Sequence, residues 1–178
     1  MRIESIIISD FYTNVDEVRK FALTQEFSVN GNFPNLRTKS FLDDGLKKVI
    51  QNVIQPLAGN ITFWGNDYTG AFQYTTAQNR SWLHQDETDW AGVCYLTPDA
   101  PLSAGTGLFR KKDKSEDKSV FASDYYDMTK WDLVDRIGNV YNRLILYRGD
   151  LYHTSLDYFG RDLETGRLFQ TFFFNTEY

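Results

Sequence analysis

The chain has 178 residues, a net charge of −5 and a single cysteine, Cys94. This length suits one domain that buries its own core, and the acidic balance argues against nucleic-acid binding through a general basic surface. The lone thiol excludes an intrachain disulfide framework and is typical of a reducing compartment. Because the sequence also lacks a signal-peptide pattern and a bilayer-spanning apolar stretch, we expect a cytoplasmic protein with no nucleic-acid partner and no membrane partner.

The first third of the chain alternates between strand and helix patterns. Residues 3–9 predict a strand, and Asn14 with Glu17 predicts a capped helix start just after it. Apolar residues at helical spacing predict a second helix over 43–55, which Pro56 is expected to end. The stretch 28–38 between the two helices has the composition of a loop.

From Asn60 onward the pattern changes to short apolar and aromatic runs separated by turns. Aromatic residues are 16% of the chain, and they favour strands. The runs predict strands at 61–64, 71–76, 82–86, 91–97, 107–111, 143–147, 153–159 and 168–175. We therefore expect an α+β, mainly β fold: one domain over 1–178, with a helical N-terminal part (1–59) packed on one sheet of a double-stranded β-helix, or jelly-roll, core (60–178).

Two segments interrupt this β pattern. Residues 110–118 mix both signs of charge, which is typical of a solvated loop or hairpin. A lid over a site is the functional alternative. Residues 123–138 suggest an irregular helical insertion before the next strand.

The chemistry of the chain is concentrated in its two histidines. His84 and Asp86 are two residues apart on a predicted strand, so their side chains point to the same face. His153 follows a turn and opens a later strand. Two imidazoles and one carboxylate form the facial triad of non-haem Fe(II) oxygenases, which leaves coordination positions open. A single His-x-Asp occurs often by chance, so the triad depends on supporting features.

An arginine that begins the last aromatic strand is such a feature. Arg167, Phe169, Thr171 and Phe173 share one strand face, so the guanidinium is expected to be partly buried and to need an anion. Its planar fork suits a carboxylate. Arg161 is a competing candidate, but it lies in what looks like an exposed turn beside Asp162.

The order of these motifs resembles the 2-oxoglutarate/Fe(II)-dependent dioxygenase superfamily, and most closely its prolyl-hydroxylase-like branch. The matching segments are HQD at 84–86, VCYLT at 93–97, AGTGLF at 104–109, NRLILY at 142–147, His153, and GRLFQTFFF at 166–174. The opening of the chain, including FPNLR at 33–37, is more loosely similar to small bacterial and phage members.

The resemblance implies residue roles and a reaction. His84, Asp86 and His153 would ligate Fe(II), and Arg167 would pair with the distal carboxylate of 2-oxoglutarate. Tyr95 and Tyr74 match positions where relatives place a tyrosine near this co-substrate, although both also suit a strand core. Molecular oxygen would be the other co-substrate. The substrate would be a C–H bond of a protein side chain or of a small metabolite.

Arg37, Trp82, Trp90 and Arg110 are candidates for contact with a substrate by position alone. Two other functions use the same features. One is a cupin-like or hydrolytic metalloenzyme that does not use 2-oxoglutarate, because ligand type alone does not fix the metal. The other is a non-enzymatic jelly-roll binding module, because this fold hosts many functions.

Overall fold

The computed structural model describes residues 2–31, 34–65, 68–112 and 122–177. These ranges contain ten strands and two α-helices, with short 3-10 helices at Leu102–Ala104, Ala122–Tyr126 and Met128–Lys130. In chain order the strands and α-helices are β1 (Ser5–Ile8), α1 (Val15–Leu23), β2 (Arg37–Ser40), α2 (Asp44–Ala58), β3 (Asn60–Trp64), β4 (Ala71–Thr75), β5 (Trp90–Tyr95), β6 (Thr106–Lys111), β7 (Trp131–Ile137), β8 (Leu144–Arg148), β9 (Tyr152–Ser155) and β10 (Arg167–Glu177).

The strands form two antiparallel sheets. The larger has the order β1-β8-β5-β10-β4-β2, and β3 pairs with the C-terminal half of β10. The smaller has the order β7-β6-β9. The expected mainly β class with two N-terminal helices is confirmed, although β1 and β2 from the N-terminal third also join the larger sheet.

Both helices pack on the outer face of the larger sheet. Ile50 and Ile54 of α2 and Ala22 of α1 belong to the same buried cluster as Phe72 and Phe172 of the sheet. The Asp43 side chain accepts a hydrogen bond from the Leu46 backbone N–H (2.7 Å), which caps the start of α2. The apolar face of each helix therefore covers one side of the sheet and leaves the other side for a second layer.

A second apolar cluster fills the space between the two sheets. It includes Val93 and Tyr95 of β5, Ile145 of β8, Phe169 of β10 and Leu108 of β6. Alternation along β10 separates the two clusters, because Phe172 points toward the helices whereas Phe169 points toward the smaller sheet. The same alternation sends Arg167 into the space between the sheets.

Several local predictions were wrong. Residues 82–86 form no regular strand and make only an isolated bridge at His84, and 131–137 is the strand β7 rather than part of a helical insertion. Residues 37–40 form a strand that the sequence did not indicate. Pro56 lies inside α2, which continues to Ala58. Asn14 is at the N-cap of α1, but its side chain makes no capping hydrogen bond.

Some predictions fall outside the described residues. Phe33 of the FPNLR segment and residues 113–118 of the charged loop are among them. Within the described ranges, neither α-helix has both the length and the apolar character needed to span a membrane.

Candidate metal centre

The two histidines face each other across an isolated antiparallel bridge. The His84 N–H donates to the His153 carbonyl (3.2 Å), and the His153 N–H donates to the His84 carbonyl (3.0 Å). His153 is on β9, at the inner side of the smaller sheet, whereas His84 lies on the extended segment before β5. Their ring centroids are 4.4 Å apart. Residues 69 positions apart in the chain are thus brought together by two backbone hydrogen bonds.

Asp86 joins the pair because the extended segment continues alongside the turn before β9. The Asp86 N–H donates to the Gly149 carbonyl (2.8 Å), and the Gly149 N–H donates to the Asp89 carbonyl (2.9 Å). One ligand atom from each of His84, Asp86 and His153 lies within 4.8 Å of the others. The structure therefore brings all three predicted ligands to one point.

Backbone carbonyls orient both imidazole rings. His84 Nδ1 is 3.0 Å from the Trp82 carbonyl oxygen, and His153 Nδ1 is 2.8 Å from the Leu151 carbonyl oxygen. A carbonyl only accepts, so each Nδ1 carries the hydrogen. In the neutral ring this leaves the lone pair on Nε2, and outer-shell contacts of this kind hold metal-binding histidines in place. The sequence did not indicate these carbonyl partners, each of which is two residues before its histidine.

Burial and mutual proximity set the charge state of the group. Desolvation, followed by the neighbouring His153, lowers the pKa of His84 to about 4. Desolvation opposes ionisation of Asp86, but the contact with His153 and the charge of Arg37 favour the carboxylate, and its pKa is lowered. A neutral His84 and an ionised Asp86 are the protonation states that a metal ion requires.

The arrangement of acceptor atoms fits a cation. His153 Nε2 lies 3.2 Å from Asp86 Oδ2, yet this buried oxygen has no hydrogen-bond donor among the described residues. When the His153 ring is neutral and Nδ1 carries its hydrogen, Nε2 and Oδ2 are both acceptors and repel each other, and a cation between them removes this repulsion. A buried carboxylate oxygen without a donor is also costly by itself. A metal ion coordinated by these three side chains would remove the repulsion between Nε2 and Oδ2 and would give the buried carboxylate oxygen a partner.

The three side chains lie at one side of a cavity of about 650 Å³ between the two sheets. Its walls include Phe169, Thr171 and Phe173 of β10, Gln73 of β4 and Tyr147 of β8. The Tyr147 ring is 4.6 Å from the His153 ring. This volume is within the usual range for small-molecule sites.

Arg167 lines the same cavity and is almost fully buried, with 1% exposure. Its Nε donates to the Ala104 carbonyl (2.9 Å), and its guanidinium lies 4.5 Å from the Phe169 ring centroid. None of the ion pairs between described residues includes Arg167. A buried guanidinium without a carboxylate partner is expected to bind an anionic ligand. Arg161, in contrast, has an 88% exposed side chain and lies 3.5 Å from Asp162 at the surface.

The two tyrosines of interest lie on opposite sides of the sheet. Tyr95 is buried between the sheets, with its hydroxyl 2.8 Å from Thr106 Oγ1 and its ring centroid 5.3 Å from the Arg167 guanidinium. Tyr74 packs against the cluster beneath the helices and contacts Phe27. Because Gln73 is the β4 residue that faces the cavity, Tyr74 is turned away from it.

Thr75 is a polar residue near Arg167 that sequence reasoning missed. It pairs directly with Arg167 between β4 and β10, and its buried Oγ1 has no hydrogen-bond partner among the described residues. Strand alternation could have indicated it, because Gln73 and Thr75 share a face of a correctly predicted strand.

Of the four residues proposed by position for substrate contact, two line the cavity and two do not. Arg37 and Trp82 line the cavity. Trp90 is in the core beneath the helices, where its Nε1 donates to Thr176 Oγ1 (3.2 Å). Arg110 is exposed on β6.

Three solved structures with a similar fold, HygX, a prolyl hydroxylase and TqaL, are 2-oxoglutarate/Fe(II)-dependent dioxygenases. HygX from Streptomyces hygroscopicus, in a structure with nickel, 2-oxoglutarate and hygromycin B bound, aligns with a TM-score of 0.60 and 10% identity over 98% of this chain and 84% of HygX. A prolyl hydroxylase from Trichoplax adhaerens, in complex with a peptide fragment of the hypoxia-inducible factor oxygen degradation domain, aligns with a TM-score of 0.51 and 14% identity over 96% of this chain and 83% of its own.

A third structure, of the Fe(II)/α-ketoglutarate-dependent dioxygenase TqaL, aligns with a TM-score of 0.50 and 12% identity over 97% of this chain and 83% of TqaL. No family profile matches the sequence, and no curated protein is significantly similar to it. At these identities the likeness shows a shared fold, and it extends over nearly the whole chain.

Proposed function

We propose that this protein is a non-haem Fe(II)- and 2-oxoglutarate-dependent dioxygenase that hydroxylates a C–H bond of a protein side chain or a small metabolite. One observation carries the proposal: two imidazoles and a carboxylate converge at one side of a cavity whose wall contains a buried arginine, and among the described residues that arginine has no ion-pair partner and one oxygen of the carboxylate has no hydrogen-bond donor. The shared fold with 2-oxoglutarate-dependent enzymes supports it. It also supports the assignment of the two sheets as the halves of a jelly roll in a single domain.

His84, Asp86 and His153 would hold the iron through Nε2, one carboxylate oxygen and Nε2. Three protein ligands on one face of an octahedron leave positions for a co-substrate and for oxygen. When bound, iron and 2-oxoglutarate supply a coupled oxidation by molecular oxygen, in which 2-oxoglutarate becomes succinate and carbon dioxide while a substrate C–H becomes C–OH. The tasks of the protein are to position the participants and to exclude water.

Arg167 would bind the carboxylate of 2-oxoglutarate that is remote from the metal. Its Nε is already held by the Ala104 carbonyl and its plane by the neighbouring Phe169 ring, so the fork is fixed before the ligand arrives. The Thr75 hydroxyl, buried and without a partner among the described residues, could donate to the same carboxylate. The Tyr95 ring, which belongs to the apolar cluster between the sheets, would pack against the Arg167 guanidinium and help to hold it in place. Tyr74 has no place in this proposed site.

The cavity walls would protect the reaction from water. Phe169, Phe173 and Tyr147 line the interior, and Trp82 lies beside His84 with ring centroids 6.3 Å apart. Apolar walls of this kind exclude solvent and strengthen the polar contacts inside.

The buried thiol of Cys94 remains the basis for proposing a cytoplasmic location.

Release of succinate tests the proposal. The purified protein is incubated with Fe(II), 2-oxoglutarate, ascorbate and oxygen, and succinate is measured with each component omitted in turn. We expect succinate that requires Fe(II), 2-oxoglutarate and oxygen together, and that is absent from Asp86→Ala. Arg161→Ala is the control and should match the wild type. Equal succinate from wild type and Asp86→Ala would contradict the proposal, and a metal-dependent hydrolysis without succinate would favour the metalloenzyme that does not use 2-oxoglutarate.

A further inference from the structure

The cavity contains a second buried arginine, which the proposed reaction does not use. Arg37 is the first residue of β2, is 5% exposed, and lines the cavity with the metal-binding group. Its Nε donates to Gln73 Oε1 (3.2 Å), and its guanidinium lies 4.0 Å from the Tyr68 ring centroid. Its Nη1 is buried and has no hydrogen-bond partner among the described residues. The side chain is therefore anchored by Gln73 and by the Tyr68 side chain, whereas Nη1 lacks a hydrogen-bond partner within the described part of the chain.

The surrounding backbone holds this guanidinium in place. Arg37 and Val29 exchange two backbone hydrogen bonds of 2.9 and 3.0 Å. The chain then brings Gly31 so close that a Cβ atom there would lie 2.3 Å from Arg37 Nη1. Gln73, which holds Nε, is itself fixed by donation to the Pro34 carbonyl (2.9 Å). Such a preorganised donor loses little conformational freedom when it binds an anion.

Among the described residues, no acidic side chain of the cavity forms an ion pair with Arg37. Asp86 acts on it electrostatically, but no ion pair between described residues includes Arg37. If the proposed function holds, the charges of Fe(II) and Asp86 balance those of 2-oxoglutarate and Arg167. Glu87, the other acidic residue of the described lining, is exposed at the rim. Among the described groups of the cavity, one buried positive charge remains, and a monoanion would balance it.

We propose that Arg37 binds a carboxylate of the substrate, so that the enzyme oxidises a carboxylate-bearing molecule or peptide group. This inference rests on the proposed function, since the metal and 2-oxoglutarate are taken to occupy Asp86 and Arg167. A planar carboxylate matches the guanidinium fork. A phosphate dianion matches less well, because the described lining contains no lysine and no arginine besides Arg37 and Arg167.

The test uses probes matched in shape and different in charge. Benzoate and benzamide, and N-acetyl-L-phenylalanine and its amide, are titrated calorimetrically into the full chain saturated with Mn(II) and 2-oxoglutarate; phenyl phosphate is a further arm. We expect at least one carboxylate to bind about tenfold more tightly than its amide, the effect of one charge-assisted hydrogen bond. Arg37→Gln should abolish the preference, and Arg37→Lys should retain part of it.

Arg110→Gln is the matched control, because Arg110 is an exposed arginine outside the cavity. It should leave every affinity unchanged. Carboxylate preference that persists in Arg37→Gln, or is absent from the wild type, would overturn the inference, and a preference for phenyl phosphate would reassign the anion. Loss of 2-oxoglutarate binding in Arg37→Gln would place Arg37 in the co-substrate site instead. The titrations are repeated on the protein without Mn(II) and 2-oxoglutarate. If Mn(II) and 2-oxoglutarate do not bind, the dioxygenase proposal fails, whereas the Arg37-dependent preference for carboxylates is measured independently of that result.

Discussion

At the scale of single residues, the candidate centre depends on how each histidine is held. Both rings direct Nδ1 to the carbonyl two residues earlier in the chain, which leaves Nε2 as the acceptor in the neutral ring. The same local geometry occurs on two unrelated segments, the isolated bridge residue His84 and the β9 residue His153. The orientation of both imidazoles is therefore fixed by backbone atoms and does not depend on a second carboxylate.

Arg167→Ala should weaken binding of 2-oxoglutarate while leaving metal binding intact. Removing one partner of a buried charge pair costs about 2–5 kcal/mol, which corresponds to an affinity loss of about 30-fold or more. Isothermal titration of 2-oxoglutarate into the Mn(II)-loaded protein measures this loss. Mn(II) affinity is determined separately for each variant.

Arg161→Ala is the control for this titration, because Arg161 is an exposed arginine six positions away. It should bind 2-oxoglutarate as the wild type does. If Arg161→Ala lost the affinity and Arg167→Ala kept it, the co-substrate would be bound at the surface turn and not in the cavity.

The sequence alone was enough to predict the three proposed ligands and the buried arginine, but it did not predict which groups contact them. Arg167 could be placed because strand alternation put it on the face of Phe169 and Thr171. The carbonyls of Trp82 and Leu151 were missed, because no local sequence pattern shows which carbonyl a histidine ring will meet. Alternation along β4 puts Thr75 on the same face as Gln73, but its position beside Arg167 depends on the pairing of β4 with β10. Tyr74 was expected near the co-substrate from the family resemblance alone, and it lies on the helix side of the sheet, since Gln73 is the inward residue of β4.

At the scale of elements, the close approach of two loops positions Asp86 and His153. A Cβ atom on Gly149 would lie 2.0 Å from the Thr88 carbonyl oxygen, so Gly149→Ala must separate the segment 86–89 from the turn before β9. Overpacking of this kind costs about 1–3 kcal/mol. We expect a lower free energy of unfolding in urea and weaker Mn(II) binding.

Gly138→Ala is the matched substitution, because its nearest new contact would be an ordinary 3.6 Å. It should change neither stability nor Mn(II) affinity. Tight Mn(II) binding by Gly149→Ala would show that the close packing of residues 86–89 against Gly149 does not position the candidate ligands.

The start of α2 offers a separate test of the helical layer. Because the Asp43 side chain caps the Leu46 N–H, Asp43→Ala should lower the free energy of unfolding by about 1 kcal/mol. The neighbouring Asp44 is fully exposed and lies 3.6 Å from Lys47 in a surface ion pair, so Asp44→Ala should lower the free energy of unfolding less than Asp43→Ala does. Equal losses in urea denaturation would contradict the capping role.

The elements that were predicted well are those with strong periodicity, such as α2 and β10. β7 was missed because its interior residues, including Leu133 and Val134, are exposed and show no alternation. It becomes a strand by pairing with β6. Pro56 did not end α2, because so near the end of the helix its missing N–H removes only one hydrogen bond of the last turn.

At the scale of the whole molecule, the two sheets enclose a cavity that the helices do not enter. The helices cover one face of the larger sheet, and the smaller sheet lies over the other. The cavity is therefore lined largely by aromatic side chains, and Arg37, Arg167 and Asp86 are the charged residues among them that lie in the interior. Buried charges of this kind cost stability unless ligands compensate them.

Ligands that compensate these charges should stabilise the fold. A ligand at 100 times its dissociation constant contributes about 2.7 kcal/mol, and each kcal/mol raises the melting temperature by roughly 2–4 °C in a domain of this size. We expect 2-oxoglutarate at this saturation to raise the melting temperature of the Mn(II)-loaded protein by roughly 5–10 °C in differential scanning fluorimetry. Arg167→Ala should lose the part that 2-oxoglutarate adds, and no shift in the wild type would contradict ligand binding in the cavity.

The most direct test is optical and uses the intact protein without oxygen. Fe(II) is added anaerobically, followed by 2-oxoglutarate, and the visible absorption spectrum is recorded after each addition. We expect a weak charge-transfer band that requires both additions in the wild type, persists in Arg161→Ala and is lost in His84→Ala. A folded wild-type protein without this band, or a His84→Ala variant with an undiminished band, would contradict the assignment of His84, Asp86 and His153 as the iron site.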